Sequence, residues 1–353
     1  MNTRDKVLRT SGSNMKVRFF NPGLEFTRNQ KEYVDEYIRV RTNGDLILRD
    51  DVKRFEENLA KYCGTKYAVG LNSCTDALEL ALRALKIGPG DDVLVPSRTF
   101  VASVQVIVKV GANPVFYDLD GALTYGDRVK AIIPVHIEGS PDNNFDHILN
   151  TAKKMGWYVI EDAAQSLGAE FKGNKVGSIG DVGCFSFYPA KTLGCPGDGG
   201  ALVTNNEEIY NWVKDARNHF KEDARDWGVN SRLDNVWAAE LNLKFNRYEK
   251  SLARRKEIAD RYSSELRGVE LPPNVQGRIW QDFIIRTPKR DGLFNYLKEQ
   301  GIETMKNNYP FPVPKLPLAQ KYEDETLRLP CNDVLEDEEV KYVIEKINEF
   351  YTK

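Results

Sequence analysis

Between residues 67 and 205, short β-rich runs recur: "YAVGLN", "DVLVPS", "NPVFYDL", "AIIPVH", "WYVIED", "CFSFYP" and "GALVTN". Helix-like segments separate several of them. "DALELALRAL" and "VASVQVIVKV" are apolar around most of their circumference, and "FDHILNTAKKM" is amphipathic. Near-continuous apolar strands alternating with helices predict an α/β fold: a mostly parallel seven-stranded sheet flanked by helices on both faces. Such a sheet also says where function sits, because ligands bind beyond the carboxyl ends of its strands.

After Asn206 the pattern changes. "EEIYNWVKDARNHF" and "NVWAAELNLKFNRYEKSLARRKEIADRYSSELRG" read as helices, the second long enough to link two domains. Beyond "VELPPN" come a strand-like "WQDFIIRT", a helix "RDGLFNYLKEQ", a Pro-rich loop "NNYPFPVPKLPLA" and a final amphipathic helix "EDEEVKYVIEKINEFYTK". The expected organisation is a large α/β domain over 16–235, then a linking helix and a smaller C-terminal α+β domain over 236–353. A chain of 353 residues is long enough for both cores. Residues 1–15 read as a disordered extension, with Met15 a candidate start.

Charge narrows the partners. Fifty Lys and Arg against 52 Asp and Glu leave a net charge of -2, and no dense basic tract offers itself to a run of phosphates, so nucleic acid is not expected. Five widely spaced cysteines with no CxxC pair fit a reducing cytosol. The N-terminus "MNTRDKVLRTSGSN" lacks the apolar centre of a signal peptide, and no apolar run approaches the roughly 18 residues of a membrane span. A cytoplasmic protein is expected. His147 and His219 have no second histidine at metal spacing and read as surface or packing residues. No metal site is expected.

Three strand ends carry unusual chemistry. In "GLNSCTDALELAL", Ser73, Cys74 and Thr75 lead from a strand into a helix, which makes either an ordinary N-cap or a phosphate seat. In "WYVIEDAAQSLG", an apolar strand delivers Glu161 and Asp162, followed by Gln165; a carboxylate there either meets a cation or caps the next segment. In "CFSFYPAKTLGCPGDGGALVTNN", Ser186 precedes Lys191 in a Gly- and Pro-rich loop between two strands, where a rigid scaffold can present a reactive group. One ligand asks for all three. Pyridoxal phosphate needs a helix N-terminus for its phosphate, a lysine for its aldehyde and a carboxylate for its pyridine nitrogen.

The stretch "EDAAQSLGAEFKGNKVGSIGDVGCFSFYPAKTLGCPGDGGALVTNN" resembles the signature of the DegT/DnrJ/EryC1/StrS sugar aminotransferases, which have the type I fold of aspartate aminotransferase. The likeness runs from "LRDDVKRFEENLAKYCGTKYAVGLNSCTDAL" to the "RLP" at 328–330. It implies a homodimer that takes an amino group from glutamate to a nucleotide-linked keto sugar. By the same resemblance, Lys191 is the Schiff-base lysine and proton shuttle, Asp162 pairs with the pyridine nitrogen, and Gln165 hydrogen-bonds the phenolic oxygen. Ser186 and the backbone at Cys74 and Thr75 match the phosphate seat, with Ser73 beside them. Phe100 matches the ring that stacks on the cofactor, and Asn230 the asparagine that reaches the phosphate from the partner subunit.

Three departures stand out. Cys74 replaces a frequent glycine, "HIEG" at 136–139 replaces a frequent "HLYG", and Asn308 replaces a frequent histidine before Tyr309 and Pro310, in the expected sugar pocket. Asn308 and Tyr309 are therefore the candidate substrate contacts. Cys74 and Cys195 are expected close to the cofactor, where oxidation would inactivate. The rivals are a dehydratase of the same family, which carries histidine at the lysine position, a cyclitol aminotransferase, and a non-catalytic sugar-nucleotide scaffold.

Overall fold

The computed structural model describes residues 15–306, 314 and 316–352. Two helices precede the sheet: α1 (Pro22–Asn43), opened by proline in its first turn with the Asn21 side chain as cap, and α2 (Asp50–Cys63). The main sheet is built from β1 (Tyr67–Leu71), β2 (Asp92–Pro96), β3 (Asn113–Tyr117), β4 (Val129–Ile132) and β5 (Tyr158–Asp162). After a two-residue hairpin, β6 (Glu170–Phe171) with β7 (Asn174–Lys175), β8 (Val182–Ser186) and β9 (Gly200–Thr204) complete it. The order is β1-β9-β8-β5-β4-β2-β3, parallel throughout except for β9, which runs antiparallel to both neighbours. All seven strands read from the sequence pair in this one sheet.

Alternation along the strands explains the double covering. Val93 and Val95 of β2 join one core with α3 (Cys74–Ala84) and α4 (Val101–Lys109), while Leu94 between them joins another with α5 (Phe145–Met155). Likewise Cys184 of β8 faces the first core, while Phe185 packs against α2. The helix read over 207–220 stops earlier, as α6 (Glu207–Ala216), and His219 and Phe220 take left-handed backbone beyond it.

The long charged segment is two helices, α7 (Asn235–Phe245) and α8 (Tyr248–Glu265). The break at Asn246–Arg247 turns Tyr248 into the core, where its hydroxyl donates to Leu167 O at 2.7 Å, and Arg247 toward Glu32 and Tyr33. Beyond it, β10 (Phe283–Arg286), β11 (Met305–Lys306) and β12 (Thr326–Leu329) form a small antiparallel sheet in the order β10-β12-β11. With α9 (Arg290–Glu299), α10 (Pro317–Glu325) and α11 (Asp337–Thr352), it accounts for the C-terminal part. Phe283, Leu293, Leu327, Val343 and, from the start of the chain, Val17 share its core. Among the described residues, no helix is long and apolar enough to cross a membrane.

Candidate active site

A cavity of about 510 Å³ opens at the carboxyl ends of β5 and β8, a size suited to a cofactor or small substrate. Asp162 reaches it from the end of β5. Its Oδ2 accepts from Ser103 Oγ at 2.7 Å, and its Oδ1 from Ala164 N at 3.2 Å. Ser103 is itself bonded to Thr99 Oγ1 at 2.7 Å, which fixes the donor. Among the described residues no Lys, Arg or His lies within ion-pair distance of this buried carboxylate, so it faces the cavity held only by neutral donors. That arrangement suits a protonated nitrogen of a bound group.

Glu161, one residue earlier, points to the other face. It accepts from Gly177 N, Ile179 N and Gly180 N at 2.6–2.7 Å and is paired with His136 Nε2 at 2.9 Å. His136 Nδ1 accepts from Asp142 N at 3.0 Å, so Nε2 carries the proton toward Glu161. Glu161 is an anchor for the 177–180 turn.

Lys191 enters the cavity from the loop after β8. The chain on either side of it is clamped by one side chain: Gln281 Nε2 donates to Ala190 O at 2.8 Å, and Gln281 Oε1 accepts from Thr192 N at 3.2 Å. Thr192 Oγ1 is bonded to Tyr248 OH at 2.7 Å. Among the described residues, Lys191 Nζ makes no hydrogen bond or ion pair. Loss of water around the ammonium lowers its pKa below the ordinary 10.5, opposed in part by Cys74, Asp162 and Asp282. A lysine poised this way is a competent nucleophile and base.

The N-terminus of α3 forms another wall. Ser73 Oγ accepts from Asp76 N at 3.1 Å, so the capping role is realised, and the hydroxyl hydrogen remains for a ligand. The N–H groups of Cys74 and Thr75 meet no acceptor among the described residues, which leaves an anion seat in the first turn. Strand β9 comes so close that a Cβ on Gly200 would run into the backbone of Ser73 and Cys74. Ser186 Oγ accepts from Tyr188 N at 3.3 Å and also lines the cavity. Phe100, 47% exposed at the mouth, is no core phenylalanine. The unsatisfied helix N–H groups, the free lysine and the cation-seeking carboxylate together fit pyridoxal phosphate.

Gln165 lines the same cavity, with Oε1 accepting from Glu138 N at 2.8 Å. Asn230 does not: it is exposed, bridged to Asn218, outside the cavity of its own chain. Cys74 lines the cavity, but Cys195 does not, because the chain folds back so that Cys195 N donates to Phe187 O at 2.8 Å. Burial holds both thiols protonated, Cys195 at about 11 and Cys74 raised well above its usual value, which opposes the expected oxidation. Asn308 and Tyr309 lie outside the described residues.

Ser103, Gln281 and the buried Arg328–Asp282 pair at 3.0 Å, which also lines the cavity, were not visible in the sequence. No local pattern marks them. Gln281 stands ninety positions beyond the lysine it brackets, and only the tertiary fold brings the two together.

Comparison with known proteins agrees with this geometry. The model of the DegT/DnrJ/EryC1/StrS aminotransferase family matches residues 27–348. The chain is 36% identical over 368 residues to the dTDP-3-amino-3,4,6-trideoxy-alpha-D-glucose transaminase of Streptomyces venezuelae, covering 95% of this chain and 96% of the relative. The crystal structure of S. venezuelae DesV in complex with a ketimine intermediate has a TM-score of 0.89 at 34% identity, covering 96% of this chain and 99% of that one. NtdA from Bacillus subtilis, solved with bound cofactor PMP, has a TM-score of 0.86 at 26% identity, covering 98% and 87%.

Proposed function

The chain belongs to the DegT/DnrJ/EryC1/StrS aminotransferase family, and on that premise we propose that it moves an amino group from glutamate to the keto carbon of a nucleotide-linked deoxy sugar. The observation that carries the reading is the convergence of Lys191, Asp162 and the open N-terminus of α3 on one cavity. Pyridoxal phosphate, when bound, supplies the electron sink for the charge left by loss of the donor's α-proton.

The chain's own residues do the rest. Lys191 would hold the cofactor through Nζ and, as a neutral amine, would take the donor's α-proton at Nζ and return it across the transferred nitrogen, two atoms away; in the sugar half-reaction it would do the reverse. Desolvation of its ammonium makes the neutral amine accessible nearer neutrality. Asp162, oriented by Ser103 and Ala164 N, keeps the pyridine nitrogen protonated. Cys74 N, Thr75 N and the Ser73 and Ser186 hydroxyls would hold the phosphate, Phe100 would cover the ring, and Gln165 would donate to the phenolic oxygen. Asn308 and Tyr309 are the proposed sugar contacts.

A homodimer with shared sites is part of the proposal. α1 leaves Phe26, Val34, Tyr37 and Ile38 exposed beside a second groove of about 800 Å³ that also borders Lys191. Trp227, 88% exposed, stands three residues before Asn230 on a projecting loop, and burial of such an indole favours a second copy. Asn230 would then serve the partner's phosphate. The presence of Lys191 disfavours the dehydratase.

The test is to load the protein with pyridoxal phosphate and supply L-glutamate with dTDP- and UDP-linked 3-keto and 4-keto sugars. 2-Oxoglutarate and an amino sugar should accumulate together over many turnovers, and without a keto sugar 2-oxoglutarate should stop at the amount of enzyme present. Turnover of a cyclic keto-alcohol alone would replace the sugar by a cyclitol, and binding of sugar nucleotide without turnover would favour the scaffold.

A further inference from the structure

Glu138 is buried at the turn after His136, with φ +62, a left-handed conformation that is uncommon for a residue other than glycine. Three side chains from distant parts of the chain close on its carboxylate. Arg98, from the loop before α4, is ion-paired with Oε1. Arg278 Nη2 lies 3.9 Å from Oε2, and the Tyr322 hydroxyl of α10 donates to Oε2 at 3.2 Å. Arg98 is also stacked 4.0 Å over the Tyr322 ring, so the cluster joins the main sheet to the C-terminal part. The next residue, Gly139, accepts from Ile279 N at 2.8 Å, where a Cβ would collide with the Ile279 carbonyl.

The backbone of this turn faces the cavity wall. Glu138 N–H donates to Gln165 Oε1 at 2.8 Å. That bond decides the orientation of the amide: the oxygen must meet the N–H, which leaves the NH₂ end to donate elsewhere, and Gln165 lines the cavity. With its side chain held by Arg98, Arg278 and Tyr322 and Gly139 held by Ile279, the φ of Glu138 sets where its N–H points relative to those anchors; at an ordinary negative φ the N–H would be turned about the N–Cα bond away from Gln165, and either amide orientation would be open.

We propose that Glu138 is a positioning residue: the clamp of Arg98, Arg278 and Tyr322 holds its left-handed turn so that Gln165 presents its NH₂ to the cofactor's phenolic oxygen. The inference rests on the cofactor seat proposed above. "HIEG", where the family often has "HLYG", thus becomes a working part of this chain's site.

The experiment follows the visible absorption band of the resting holoenzyme as a function of pH. A hydrogen bond donated to the phenolic oxygen stabilises the negative charge that grows there as the band's proton leaves, so it lowers the midpoint, and its loss raises it. Gln165→Ala should raise the midpoint by about one pH unit. Glu138→Ala should raise it by a comparable amount, and the double variant should add little, because both act on one bond. Glu138→Gly, which takes positive φ at no steric cost, should recover most of the native midpoint.

A folded Glu138→Ala protein with the native midpoint, beside a shifted Gln165→Ala, overturns the proposal and leaves the cofactor seat standing. An unshifted Gln165→Ala overturns both. If Glu138→Ala does not fold, Tyr322→Phe and Arg278→Gln loosen the same clamp from outside; a smaller upward shift supports the proposal and an unmoved midpoint overturns it. None of these variants replaces the other charged or titratable groups along the cavity: Asp162, Lys191, His136, Asp198, Arg255, Asp282, Arg328, Tyr188, Cys74 and Cys331.

Discussion

The two faces of β5 treat neighbouring carboxylates in opposite ways. Glu161 is enclosed by three backbone N–H groups and the His136 ring, while Asp162 has only neutral donors, Ser103 Oγ, Ala164 N and the Cys74 thiol, and an open cavity before it. One charge is spent inside the fold and the other is held for a ligand. The cause is the pleat, which sends successive side chains to opposite faces. Glycine makes the first arrangement possible: a Cβ on Gly183 would overlap the Gly177 backbone whose N–H reaches Glu161. Two acidic residues side by side thus divide into structure and chemistry.

Asp162→Asn tests that division hardest. It should cut kcat/KM by about 10³-fold, the scale of losing a preorganised charge at a reacting centre, while leaving the denaturation midpoint unchanged or raised. Glu161→Gln should do the reverse. Its NH₂ would face N–H donors and leave at least one buried group unpaired, costing about 3 kcal/mol, read from the urea midpoint at constant slope, with the turnover of folded enzyme little altered. Equal effects of the two variants on both readouts would break the comparison.

Ser103→Ala sharpens it. The loss of the 2.7 Å bond to Asp162 should lower kcat/KM about 10-fold without changing the fold, since the charge remains and only its orientation is released. The smallest effect concerns Lys191 in the cofactor-free protein. Its folded pKa lies below 10.5, so between the two values the unfolded chain binds more protons and stability rises with pH. Lys191→Met should flatten that rise, as measured by urea unfolding between neutral and alkaline pH.

Much of this contrast is written in local sequence. Seven apolar runs become seven strands, and Ser73, Cys74, Thr75, Phe100, Asp162, Gln165, Ser186 and Lys191 line one cavity because each follows a strand of the same sheet. The choice between Glu161 and Asp162 was not local, since it depends on which face the cavity occupies. The break between α7 and α8 carries neither glycine nor proline, and is set by the burial of Tyr248. α1 buries only Tyr33 and Val40 and leaves Phe26, Val34, Tyr37 and Ile38 exposed, so its apolar periodicity says little about this chain's interior. Glu138, Arg98, Arg278 and Tyr322 meet across more than two hundred positions, a distance no motif spans.

The most direct test of the account is exchange of the glutamate α-proton in deuterated buffer, followed by NMR with holoenzyme and no keto sugar. The unmodified protein should exchange it, and Lys191→Ala, checked for folding and bound cofactor, should do so about 10³-fold or more slowly, the contribution of a positioned base. Equal exchange by the two proteins would contradict the assignment of Lys191 as the group that moves the proton.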